Sequence, residues 1–166
     1  MPTIASFFSS LTKGSSRTKN WEQDYSREPR AFINVPYDVY RTYEEACHTL
    51  PISSAASAMA SRRCLQQLLM SVGHRQRNLP DQIKSAARSY RRTAAIHPPL
   101  AYSDMIRIIG NLAAHPSERS FEIQYEDAEW CLEMVEELFD FFYEKPLEFE
   151  QRMMELQGRW VHSRPA

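Results

Sequence analysis

Residues 127–142 read Asp-Ala-Glu-Trp-Cys-Leu-Glu-Met-Val-Glu-Glu-Leu-Phe-Asp-Phe-Phe. Ala128, Cys131, Leu132, Val135, Leu138, Phe139 and Phe142 recur at spacings of three and four. That period gathers apolar side chains on one face of an α-helix and leaves the acids on the other. A strand would divide the same residues between two faces. Asp127 stands near the start, where the helix dipole favours an acid. A helix with one apolar stripe must bury it against other elements, so the flanking sequence decides the fold.

Outward from that stretch the same period returns. Residues 52–79, 81–97, 100–115 and 117–145 contain no proline, and each window is bounded by one, as helices bounded by breakers would be. The spacing predicts a helix over 38–49, with Asp38 as its cap and Val39, Tyr43, Ala46, Cys47 and Leu50 on one face. A second runs from Ser53 or Ser54 to Val72, with Ala58, Ser61, Cys64, Leu65, Leu68, Leu69 and Val72 inward and Gly73 at its C-terminal cap. A third covers 80–92, opened by Asn78 and Pro80. A fourth covers 99–114 and stops at Pro116. Pro146 separates the Asp127 helix from a last one over 147–158, carrying Leu147, Met153, Met154 and Leu156. The alternating segment 119–125 is too short to demand a strand and reads as an extended loop. The expected fold is all-α, an antiparallel up-and-down bundle of four to six helices. It occupies 37–145, after a flexible N-terminal arm over 1–20 and an extended lead-in over 21–36, with a C-terminal helix and tail over 146–166.

Composition agrees. The chain has 166 residues, 43% of them hydrophobic, and only 4 glycines. One core of ordinary size is affordable, whereas turn-dense β folds and glycine-rich phosphate loops are disfavoured. No apolar run reaches the ~20 residues of a membrane span. Cys47, Cys64 and Cys131 are odd in number and widely spaced, which suits neither a disulfide framework nor a zinc site. Cys64 and Cys131 read as small core residues. His48, His74, His97 and His162 have no metal-ligand spacing. The expectation is a cytoplasmic protein with no metal, no cofactor and no membrane contact.

The net charge of −1 hides an asymmetry. Residues 62–92 carry eight basic side chains and one acid, Asp81, while 118–150 carry twelve acids against Arg119 and Lys145. The bland reading pairs the basic segment with the acidic one inside the domain. The sharper reading presents a basic patch, with Arg62 and Arg63 on the polar side of their helix, to nucleic acid or an acidic partner.

One constellation has chemical potential. In Met105-Ile106-Arg107-Ile108-Ile109-Gly110-Asn111-Leu112-Ala113-Ala114-His115, steps of ~100° per residue stack Arg107, Asn111 and His115 along one stripe. Met105, Ile108, Ile109 and Leu112 are then expected inward. Gly110 and Ala114 flank the stripe, where a second helix or a ligand can come close. Gly110 costs its helix about 1 kcal/mol relative to alanine, which calls for a packing or functional reason. Arg107 paired with an acid of the Asp127 helix, Asn111 on a loop carbonyl and His115 as a C-terminal cap make a purely structural set. Equally, histidine beside arginine is an acid–base pair suited to phosphodiester chemistry.

The string Ile106-Arg107-Ile108-Ile109-Gly110-Asn111-Leu112-Ala113-Ala114-His115-Pro116 resembles the signature of the bacterial family called domain of unknown function 4145. Tyr43-Glu44-Glu45-Ala46 and Ser61-Arg62-Arg63-Cys64-Leu65-Gln66-Gln67-Leu68-Leu69 resemble its first two helices, with Gln66 replacing the usual acid. Leu79, Gln82 and Ile83 fit the third helix, and Asp127-Ala128 fits the last. The resemblance spans roughly 36–145 and implies a HEPN-like helical bundle that often pairs as a dimer. Such domains are common in bacterial toxin–antitoxin, restriction and antiviral systems. Active ribonucleases of that group place an arginine and then a polar residue, commonly asparagine, four to six residues before a histidine, and two such motifs meet across a dimer to cut RNA without metal. Asn111 and His115 match, but Gly110 occupies the arginine position. The resemblance therefore implies a binding or regulatory module of a bacterial or phage defence, restriction or toxin–antitoxin setting, without catalysis. Arg62, Arg63 and Gly110 are its candidate binding residues, and a homodimer or other protein partner is expected. The alternative is a metal-independent endoribonuclease acting on RNA through His115, Arg107 and Asn111.

Overall fold

The computed structural model describes residues 27–91, 100–115 and 122–162. The arm over 1–20, the loop around His97 and residues 119–121 of the alternating segment lie outside the described residues. The described elements are α1 (Tyr37–Thr49), α2 (Ser54–Ser71), α3 (Leu79–Arg91), α4 (Leu100–Ala114), α5 (Tyr125–Phe139), a π-helical turn (Asp140–Glu144) and α6 (Lys145–His162). Helix is the only regular structure among the described residues, and the fold is an all-α bundle.

Local chemistry sets the helix ends. Pro36, not Asp38, precedes the first turn of α1. Its carbonyl accepts from the Val39 and Tyr40 N–H groups at 3.0 and 2.9 Å, and Asp38 lies inside the turn, where the helix dipole favours it. The Ser53 hydroxyl caps α2 by accepting from the Ala56 N–H at 3.2 Å. At the other end Gly73 takes φ +99°. The Gly73 N–H bonds the Met70 carbonyl at 3.2 Å and the His74 N–H bonds Leu69 at 2.8 Å, a Schellman ending that favours glycine. Asn78 Oδ1 accepts from the Asp81 N–H at 2.9 Å to start α3. The Asp127 carboxylate accepts from the Gln124 N–H at 3.0 Å to start α5.

Helix α2 lies at the centre and touches α1, α3, α4 and α5. Its buried residues Ser57, Ala58, Ala60, Ser61, Cys64, Leu65, Leu68 and Leu69 are mostly small, which allows several helices to approach one axis. Ser57 donates to the Ala46 carbonyl of α1 at 2.8 Å. The three cysteines are buried and free.

Pro146 does not break the chain between α5 and α6. Residues 125–162 are helical throughout, and the Lys145 N–H reaches back to the Asp140 carbonyl across the π turn. Proline removes one ladder donor and crowds the carbonyl four residues earlier. A widened turn immediately before it relieves that crowding.

Candidate functional site

The face of α4 that the spacing assigns to the core is rotated in the structure. Ser103, Ile106, Ile109 and Gly110 are buried, whereas Met105 and Ile108 are half-buried and Leu112 is 38% exposed. The reason is Gly110. A β-carbon built there would lie 2.5 Å from Cβ of Arg62, 2.9 Å from its Cδ and 3.0 Å from the Ala58 carbonyl oxygen. Glycine lets α4 seat directly on α2, and that contact turns Gly110 inward.

The polar stripe stays in line along α4, but its side chains do not converge. Arg107 Nε donates to Asp104 Oδ1 at 2.7 Å. Its partner is one turn earlier on the same helix, not an acid of α5. Asn111 is half-buried, and its carbonyl accepts from the His115 N–H at 3.0 Å. His115 is exposed just beyond the helix end. No hydrogen bond joins the Arg107, Asn111 and His115 side chains among the described residues.

The two candidate binding arginines of α2 have different surroundings. Arg63 is exposed and pairs with Glu45 of α1. Arg62 is half-buried, with its aliphatic stem over Gly110 and its Nε buried without a hydrogen-bond partner. It is therefore not on the solvated side of its helix.

The acidic helix is paired from a different direction than the charge pattern suggests. Among the described residues, the ion pairs of the basic segment run from Arg63 to Glu45 and from Lys84 to Asp81. The acids of α5 and the π turn are met by the lead-in before α1. Arg27 Nη2 donates to Glu136 Oε1 at 2.7 Å, and its Nη1 stands 3.7 Å from Glu129. Arg30 grips Asp140 through two hydrogen bonds of 2.8 and 2.9 Å. The Ile33 and Asn34 N–H groups both donate to Glu144 at 3.1 Å. Tyr43, fully buried, donates to Glu136 at 2.6 Å and accepts from the Arg30 N–H at 3.0 Å. Burial and the bond to Glu136 raise the phenol pKa far above its usual value. The bonds of Arg30, Ile33 and Asn34 to the π turn join residues about 110 apart in the chain, so no local spacing announces them.

The donor set offers no metal centre among the described residues: no three His, Cys, Asp or Glu side chains gather as ligands would. No helix among them is long and apolar enough to cross a membrane.

The class defined by these features is a helical-bundle domain whose one polar stripe of chemical interest lies beside a tight helix crossing. Residues 44–158 match the family described as Domain of unknown function (DUF4145), and the chain belongs to that family. No curated protein matches the chain, and no solved structure does.

Proposed function

We propose that this chain is a HEPN-like binding or regulatory module without catalysis, working in a bacterial or phage defence, restriction or toxin–antitoxin setting. The observation behind this reading is the crossing at Gly110. The helix position that carries arginine in the ribonucleases named above is closed by α2, with 2.5 Å between a built β-carbon and Cβ of Arg62. Arginine there would drive the two helices apart. Arg107, the nearest substitute, is engaged by Asp104, and the electrostatic stabilisation that phosphate chemistry needs depends on donors already aimed at the reacting group.

A second reading, a metal-independent endoribonuclease, keeps one supporting feature: His115 follows Asn111 by four residues, just past the end of α4, with its N–H bonded back to the Asn111 carbonyl and its side chain exposed. Purified protein incubated with total RNA in EDTA, beside His115→Ala, separates the two. The binding reading expects no cleavage by either protein. Cleavage by the wild type that His115→Ala abolishes would overturn it.

A further inference from the structure

Helix α6 is the part of the described chain that the bundle does not hold. Its 18 residues pack on the π turn and on no other described helix, and every residue from 145 to 160 is exposed. In proteins most helical stability comes from tertiary packing of an apolar face. Yet Phe149 is 68% exposed, Met153 40%, Leu156 36% and Trp160 75%. Their spacing of four, three and four places all four on one seam, the repeat that lets two helices wind around each other.

The flanking charges select the occupant and its direction. If Met153 and Trp160 take the first core position of a heptad, Phe149 and Leu156 take the second. Lys145, Arg152 and Arg159 then line one flank, and Glu150 and Gln157 line the other. In a parallel pair the two unlike flanks of two copies face each other, so Lys145 of each meets Glu150 of the other and Arg152 meets Gln157. In an antiparallel pair the basic flanks would face one another. The described part of the lead-in does not fill the seam. Arg27 lies at Glu129 and Glu136, Arg30 at Asp140 and Asn34 at Glu144, so the chain runs away from α6 as it is followed backward. We infer that two copies of this chain pair in parallel through α6, with Phe149, Met153, Leu156 and Trp160 as the seam. This goes beyond the reading of α4 and does not rest on it.

The test uses the full chain. Light scattering after gel filtration is expected to give twice the 19.4 kDa of one copy. Leu156→Glu combined with Trp160→Glu is expected to weaken association ~30-fold or more and to leave the melting temperature of the dilute protein within ~2 °C, because neither residue touches the bundle. Met153→Cys is expected to form a symmetric disulfide on mild oxidation, since Met153 meets itself only in the parallel register and the native cysteines are buried. A wild-type monomer throughout a concentration series overturns the pairing, whether residues 1–26 or a different protein then covers the seam. So does a dimer that survives the double substitution, or one in which Met153→Cys does not cross-link.

Discussion

Gly110 of α4 and Arg62 of α2 are in contact so close that a β-carbon on the glycine would stand 2.5 Å from Cβ of the arginine. This crossing joins the signature string of the fourth helix to the arginine pair of the second. It removes Gly110 from the ligand-facing surface that the spacing suggests and gives it a packing role. It also draws Arg62 inward and leaves Arg63 outside.

Gly110→Ala should therefore destabilise the domain despite the better helix propensity of alanine. Propensity favours the substitution by about 1 kcal/mol, and overpacking a closed contact costs about 1–3 kcal/mol. The clashing atoms are Cβ of Arg62 and a backbone carbonyl, which cannot swing away as a flexible tip can. A lower denaturation midpoint is expected. A stabilised variant would mean that the crossing opens freely and that the position can hold a side chain.

The element list was legible because each helix carries an apolar face and prolines stand near several helix ends, and such signals are local. The rotation of α4 was not, because Gly110 counts as neither polar nor apolar and its inward turn depends on Arg62, 48 positions earlier. Pro146 reads as a break only if the turn before it keeps a regular α-helical width, and the π turn does not. The basic and acidic halves were visible, but Arg27 and Arg30 meet the acids of α5 from outside the basic half, across a separation that no periodicity records.

Removing one hydroxyl tests that clamp. Tyr43→Phe should cost about 1–3 kcal/mol, since the Arg30 N–H loses its acceptor and Glu136 loses a buried donor. Glu136→Leu should cost more and leave Arg27 half-buried without its nearest carboxylate. Because the three groups form one network, the double variant should fall short of the sum of the two singles. Strict additivity in urea titrations would show that the groups act separately.

The lead-in should be held by its aromatic ring more than by its charges. Phe32 packs edge-on against Tyr43 and Phe139, with centroids 5.9 and 5.0 Å away. Phe32→Ala is expected to cost about 2–3 kcal/mol. The Arg30–Asp140 pair is half-exposed on the arginine side, so Arg30→Ala should cost ~1 kcal/mol or less. Raising the salt concentration should shift the wild-type midpoint only slightly. A larger loss from Arg30→Ala than from Phe32→Ala would reverse this ordering.

The buried thiols predict how stability changes in alkali. Burial pushes the Cys47 thiol up to about 11 and Cys131 up to about 12, and raises Cys64 well above the ordinary thiol value of 9.0. Each group keeps its proton in the folded chain at a pH where the unfolded chain has released it. The unfolded state therefore gains as pH rises through 9, and stability falls from there upward, with no thiol contribution lost below it. One unit above the ordinary value, each thiol accounts for about 1 kcal/mol, and Tyr43 adds a loss of the same sign above its ordinary phenol range. Chemical denaturation at pH 8, 9 and 10 should trace this fall, and Cys64→Ala should make it shallower even though the variant starts less stable. The same burial should hold all three thiols inert to an aromatic disulfide reagent at pH 8 until denaturant is added. Rapid reaction of the native protein would mean that the core opens far more often than its packing implies.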